Sequence, residues 1–240
     1  SDDISLPGVT LRQYQESMIK KALEAKGCIV KAPTGAGKTL ILGGILKALV
    51  GRTGLVFFTK KQLLKQTYDK LKEWGIDVGL AFGDGVILKP MTLCTVQSID
   101  KIMDTHLKQS EFIIFDEVHE FAKGKIATKV IKSFPNAAYR IGMTATVPRD
   151  PMSKLNLISG LGNVIEEVDA QGLIDEGFLT EPIIQIIPIK DTFQCPVYQP
   201  SILLQILRVP YIQSRNLNHH RFLRMVMPYN NCYISFCSPF

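Results

Sequence analysis

Residues 27–39 read GCIVKAPTGAGKT, and their types and spacing suit one task, holding a chain of phosphates. The apolar run Cys28-Ile29-Val30 leads into Pro33, Thr34, Gly35, Ala36 and Gly37, and the segment ends on Lys38 and Thr39 before the helix-like LILGGILKALV. Gly35 and Gly37 free the backbone to curl so that successive N–H groups point at one anion. The start of the following helix adds its partial positive charge. Lys38 can reach terminal phosphate oxygens and the Thr39 hydroxyl can bind Mg²⁺, so A-x-x-x-x-G-K-T, opening at Ala32, reads as a Walker A loop. A second constellation follows where the apolar run FIIF (112–115) ends directly in Asp116 and Glu117. Two adjacent carboxylates divide the remaining work: Asp116 holds the divalent cation, and Glu117 orients and deprotonates an attacking water. Lys38, Asp116 and Glu117 are therefore the catalytic candidates, with Thr39 and Asp116 as the metal ligands.

The surrounding elements must bring these residues together. Apolar positions at Tyr14, Met18, Ile19, Ala22 and Leu23 predict a helix over 11–26, stopped by Gly27. Apolar runs at 28–30, 55–58, 78–82, 91–95, 112–115 and 139–143 predict strands. Amphipathic patterns at 60–74, 97–108 and 125–133 predict the helices between them. Strands that are apolar throughout, alternating with such helices, imply an α/β fold with a parallel sheet covered by helices on both faces. Ligands of such sheets bind at the carboxyl ends of the strands. The phosphate loop, Asp116-Glu117 and the Thr144-Ala145-Thr146 loop all follow strands, so they should converge on one edge. Beyond Pro148 the pattern loosens, with helices expected at 152–160 and 169–176, a β-rich run PIIQIIPIK at 182–190, helices at 203–207 and 212–227, and a strand in NNCYISFCSPF with no partner unit after it.

Composition fits a globular domain rather than a membrane or disulfide scaffold. Hydrophobic residues make up 46% and charged residues 21%, and no apolar run approaches the length of a membrane span. Five cysteines, at 28, 94, 195, 232 and 237, are odd in number and scattered, which reads as reduced thiols of a cytosolic protein. A net charge of +6 suits a polyanionic partner. After Asp191 there is no acidic residue, while Arg208, Arg215, Arg221 and Arg224 all lie there. That tail reads equally as a surface packed on something outside the chain or as a nucleic-acid surface.

Taken together, the motifs resemble the first motor domain of superfamily 2 helicases of the DExH type. Leu11-Arg12-Gln13-Tyr14-Gln15 matches the family's L-R-x-Y-Q element, and LVFFTKKQLLKQ, LCTVQSI, DEVH and Thr144-Ala145-Thr146 match later motifs in order, over residues 11 to 190. The resemblance implies a RecA-like P-loop NTPase domain over 1–190, with 191–240 as linker and incomplete start of a second motor domain. It implies that ATP and Mg²⁺ are bound, with Arg12 shaping the base pocket and Gln15 reading the adenine edge. Thr59, Lys60, Gln66, Thr95 and Gln97 are implied as nucleic-acid contacts, and His119 is implied to couple the ATP site to Thr144 and Thr146. Within the superfamily the run IxGMTATxPR is most similar to phage UvsW-like DNA-remodelling helicases. The implied activity is ATP-driven branch migration or fork remodelling on single-stranded or branched DNA in the cytoplasm, the host's for a phage-encoded chain. An RNA helicase, or a non-motor nucleic-acid-binding regulator built from one helicase domain, is the alternative.

The family's second domain carries Q-x-x-G-R-x-G-R, whose arginines stabilise charge on the transferring phosphoryl group, and no such element occurs in this sequence. The expectation is a truncated or naturally shortened chain that binds ATP, hydrolyses it slowly and barely unwinds.

Overall fold

The computed structural model describes residues 3–180 except 84, 104, 123–125 and 167, together with 223–226 and 233–236. Two compact units are present, Ser1–Asp169 and Ala170–Phe240. The first contains every motif named above up to Thr146.

Its centre is an eight-stranded sheet built from β1 (Gly27–Lys31), β2 (Gly54–Phe58), β3 (Gly79–Phe82), β4 (Gly85–Ile87), β5 (Met91–Thr95), β6 (Phe112–Asp116), β7 (Tyr139–Thr144) and β8 (Asn163–Ile165), in the order β4-β3-β5-β2-β6-β7-β1-β8. All pairings are parallel except β3 with β4. The helices are α1 (Gln13–Ala25), α2 (Lys38–Ala48), α3 (Lys61–Glu73), α4 (Ile99–Met103), α5 (Val118–Ala122), α6 (Ile126–Ser133) and α7 (Pro151–Leu161). Residues of α4 to α7 pack one face around Leu55, Phe57, Ile113 and Phe115. There the Phe57 and Phe115 rings stack with centroids 5.3 Å apart, and Phe121 meets Phe115 edge-on at 5.2 Å. The alternate residues Val30, Val56, Phe58 and Ile114 are fully buried as well, so the opposite face is also covered, as the continuous apolar runs required.

On that opposite face α2 lies unusually close to its neighbours because Gly43 and Gly44 carry no side chain. A Cβ on Gly43 would fall 2.7 Å from the Trp74 ring, and one on Gly44 would fall 2.5 Å from Ile19 Cδ1. The packing of α1 and α3 around the helix that starts at the phosphate loop is therefore written into two glycines.

Strand register fixes the functional edge. Val30 pairs with Met143, Met143 with Asp116, and Phe58 with Thr95, while Phe57 pairs with Phe115 one step earlier. The ends of β5, β2, β6, β7 and β1 thus finish in one rank, which brings the three expected loops to the same edge.

Several expectations are corrected. The helix expected at 97–108 is broken into a 3₁₀ turn at Val96–Ser98, α4, and a second 3₁₀ turn at His106–Gln109. Thr105 interrupts it, its hydroxyl donating to Ile102 O at 2.6 Å and accepting from Leu107 N. The sheet is not wholly parallel, since Gly83 at φ 55 turns the chain back into β4. The helix expected over 212–227 does not extend through its last residues, because Leu223–Val226 is a strand paired antiparallel with Tyr233–Phe236. The strand expected at the end of the chain is present as Tyr233–Phe236, and its partner is upstream. In the second unit a helix runs over Ala170–Asp175. The β-rich run 182–190, the helix expected at 203–207, Cys195, Cys232, Cys237, Arg208, Arg215 and Arg221 lie outside the described residues, as does the expected domain boundary at 190/191. Cys28 and Cys94 are buried free thiols, and burial pushes Cys28 up to about 12 and Cys94 upward too, which leaves both unreactive.

Candidate active site

The loop between β1 and α2 has the backbone that a phosphate cradle needs. Gly35 and Gly37 are left-handed, at φ 89 and φ 79, and α2 begins at Lys38 with no side chain capping its first turn. Within that turn Leu40 N and Ile41 N donate to Gly37 O, which leaves the Lys38 and Thr39 amides for an external acceptor. Gly37 is required twice, since a Cβ there would also come 2.6 Å from Gln15 Nε2.

The L-R-x-Y-Q element holds this loop from behind. Gln15 Nε2 donates to Ala36 O at 2.8 Å, Tyr14 OH donates to the same carbonyl at 2.9 Å, and Gln15 Oε1 accepts from Arg12 N at 2.9 Å. Arg12 Nη1 in turn donates to Tyr14 OH at 3.2 Å. Gln15 is 2% exposed, so both ends of its amide are used inside the protein. Sequence reasoning named Arg12 and Gln15 but not this anchoring of Ala36, for which a motif regular at 11–15 gives no local signal.

The carboxylates converge on the loop. Lys38 Nζ is ion-paired with Glu117 Oε1. Burial pushes the Asp116 carboxyl up to about 6, the Glu117 charge beside it adds to the rise, and Lys38 opposes it. Glu117 has φ 52, a left-handed conformation that non-glycine residues rarely adopt. Its other oxygen, Oε2, is buried and has no hydrogen-bond partner. His119 Nδ1 lies 3.3 Å from that oxygen but bonds instead to Thr144 Oγ1 at 2.8 Å. The Thr144 hydroxyl donates to Thr146 O at 2.8 Å and so has no second proton to give, which makes His119 Nδ1 the donor and fixes its neutral tautomer as Nδ1–H.

A cavity of about 660 Å³ opens beside Lys38, Thr39, Asp116 and Glu117. Its other walls are the Pro7–Val9 turn and the face of α3 that carries Gln66, Thr67 and Lys70. The turn closes with Gly8 at φ 72 and a Leu6–Val9 bridge. The α3 wall was not legible, because nothing local ties it to the phosphate loop. Gln66, expected on nucleic acid, is placed on this cavity.

The other nucleic-acid candidates differ among themselves. Lys60 and Gln97 are exposed and Thr59 is half-buried at the carboxyl ends of β2 and β5, with Lys60 3.7 Å from Glu120. Thr95 is 2% exposed and its hydroxyl shares a hydrogen bond with Ser98 Oγ at 3.0 Å, so it shapes the turn that presents Gln97.

The family profile of the type III restriction enzyme res subunit matches residues 8–149, a span that runs from the cavity turn through Thr146. The chain belongs to that family. This res-subunit relative is 29% identical over 143 residues to the DNA 3'-5' translocase XPB2 of Sulfurisphaera tokodaii, a match that covers 59% of this chain and 32% of that one. Among solved structures it resembles the Hef helicase domain of Pyrococcus furiosus, with a TM-score of 0.60 and 21% identity over 73% of this chain and 41% of that one. It also resembles the UvsW helicase of bacteriophage T4, with a TM-score of 0.57 and 20% identity over 65% and 60% of the two chains. The fold is the RecA-like N-terminal motor domain of a superfamily 2 helicase. The chain spans about a third of the length of the curated relatives it matches. Among the described residues, no helix is long and apolar enough to cross a membrane.

Proposed function

We propose that this chain is the nucleotide-hydrolysing domain of an ATP-driven DNA helicase or translocase that remodels branched or forked DNA, acting in the cytoplasm. The observation that carries the reading is the rank of strand ends in which the phosphate loop, Asp116-Glu117 and Thr144 lie side by side, tied by the His119–Thr144 hydrogen bond. DNA is preferred over RNA because the XPB2 relative is named for DNA translocation.

Thr39 and Asp116 would hold Mg²⁺. The buried Glu117 Oε2 without a hydrogen bond and the raised Asp116 carboxyl mark a pair of carboxylates short of positive charge, which is the environment a divalent cation relieves. Held there, the ion would supply positive charge against the negative charge that develops on phosphoryl transfer. Lys38 is paired with Glu117, and a terminal phosphate would compete for it. Released from Lys38, Glu117 takes the proton of the attacking water. His119 and Thr144 pass the state of the site to the Thr146 loop, and Thr59, Lys60 and Gln97 meet the nucleic-acid backbone on the same edge.

The test is ATP turnover by the chain alone, with single-stranded DNA, with forked DNA and with single-stranded RNA. Greater stimulation by DNA supports the reading, and greater stimulation by RNA moves it to an RNA helicase. Absence of ATP binding overturns it.

A further inference from the structure

The rank of strand ends that carries the nucleotide chemistry continues past β5. Ala81 pairs with Cys94, so Phe82 stands level with Thr95, and the turn from Gly83 into β4 follows next to the Val96–Ser98 turn that presents Gln97. Three lysines surround this hairpin turn. Lys101 Nζ donates to Gly83 O at 2.7 Å, the Lys65 ammonium lies 5.4 Å from the centre of the Phe82 ring, and Lys61 Nζ lies 3.7 Å from where a Cβ on Gly83 would stand. Charge sets this sector apart from the rest of the edge. Lys31, Lys38 and Lys60 each face a carboxylate, on Glu166, Glu117 and Glu120. Lys61 and Lys65 have no such partner among the described residues.

The strand beyond the turn adds a second observation. β4 is an edge strand without a charged residue, and it leaves Val86 40% and Ile87 61% exposed. Edge strands ordinarily carry a charge, a proline or a cover. Ile87 pairs with Leu80, two residues before Phe82, so these side chains share the face on which Lys65 lies. Apolar side chains among cations are what a single strand of nucleic acid needs, phosphates on the cations and unstacked bases on the apolar surface. A second copy of the chain docked edge to edge on β4 is opposed by the same lysines, which would meet their own counterparts. We propose that the β3–β4 hairpin is a single-strand subsite at the outer end of the nucleic-acid edge, with Lys61 and Lys65 holding phosphates and Phe82 and Ile87 taking an unstacked base. Lys101 is then a positioning residue that supports the turn through Gly83. The assignment rests on the reading of this edge as a DNA surface.

Fluorescence anisotropy of the full chain with labelled oligo-dT, and with an abasic strand of equal length, from about 50 to 200 mM salt tests it. Lys65→Ala is expected to weaken oligo-dT by about three- to tenfold and to reduce the slope of log affinity against log salt by about 0.7, the share of one phosphate on a single strand. Lys65→Arg is expected to keep the slope. Ile87→Ser is expected to weaken oligo-dT by about threefold with the salt slope unchanged, and to leave the abasic strand unaffected. An unchanged slope in Lys65→Ala overturns the subsite. So does an Ile87→Ser variant that loses nothing, or loses as much on the abasic strand. A wild-type chain that sediments as a dimer, and as a monomer in Ile87→Ser, also overturns it and gives β4 to a second copy. A wild-type chain that binds neither strand removes the DNA reading of the edge itself, which separates that failure from failure of the hairpin.

Discussion

At the scale of single residues, the site concentrates carboxylate charge that burial makes costly. The Asp116 carboxyl is raised from 3.8 to about 6, chiefly by burial and next by the Glu117 charge. A carboxyl whose folded pKa is the higher one binds its proton more tightly in the folded state. Its ionisation therefore costs stability fully above about pH 6, and that cost fades as pH falls to 3.8, where the unfolded chain protonates too. The span corresponds to at most about 3 kcal/mol, and since Asp116 is only half-buried about 1–2 kcal/mol is expected. Asp116→Asn should then stabilise the magnesium-free protein by that amount at pH 7.5 and by almost nothing at pH 4, as read by urea denaturation at both values. A gain that is equal at the two pH values would show that ionisation is not its source. Glu117 carries a second cost in its backbone. At φ 52 a side chain is strained whatever its chemistry, whereas glycine is not. Glu117→Gly and Glu117→Ala both delete the carboxylate and the ion pair with Lys38, so their difference isolates the backbone. The glycine variant should be the more stable by about 1 kcal/mol, and the reverse order in the same denaturation series would contradict the strained conformation.

Elements carry the geometry that makes those residues neighbours, and α2 shows how tightly. Gly43 and Gly44 both weaken an isolated helix, so alanine at either would help on propensity alone by about 1 kcal/mol. Packing decides otherwise, and it decides differently at the two positions. A methyl on Gly44 meets Ile19 Cδ1, the flexible end of a side chain that can swing aside. A methyl on Gly43 meets the Trp74 ring at 2.7 and 2.9 Å and Leu6 Cδ1 at 3.1 Å, and a buried indole cannot swing. Gly43→Ala should destabilise by about 1–3 kcal/mol and Gly44→Ala by clearly less, with equal thermal shifts counting against this account of the α2 packing. The sequence made the phosphate loop and Asp116-Glu117 legible because their chemistry requires adjacent residues, and it made the main parallel strands legible because burial on both faces leaves continuous apolar runs. It hid β4 and β8, three residues each, which are too short to show a period. The break at Thr105 was hidden because the apolar spacing continues across it. The α3 wall of the cavity and the grip of Gln15 on Ala36 were hidden for a different reason. Each joins residues more than twenty positions apart through the fold, and no local pattern records such a meeting.

For the molecule as a whole, the question is how a nucleotide site and a nucleic-acid edge on one sheet affect each other. The described connection is short: Glu117 lies 3.3 Å from His119, His119 donates to Thr144, and Thr144 accepts from Thr146 N at 3.2 Å while donating to Thr146 O. Thr144 is fully buried, so its hydroxyl has no water to fall back on. Thr144→Val keeps the shape and removes the hydroxyl that links His119 to the Thr146 loop. Coupling between two binding sites is a free energy that can be measured from either side, even where turnover is slow. Affinity for forked DNA with and without a non-hydrolysable ATP analogue gives that coupling for the chain as it stands. In the wild type the two affinities should differ by about fivefold or more, within the range usual for linked sites. In Thr144→Val the ratio should fall close to one while each ligand alone still binds within about threefold of the wild-type affinity. The difference matters more than either affinity, because a variant that merely loosened the fold would weaken both ligands and leave their ratio unchanged. An unchanged ratio would mean that the nucleotide reaches the DNA edge by another route than the Thr144 hydroxyl.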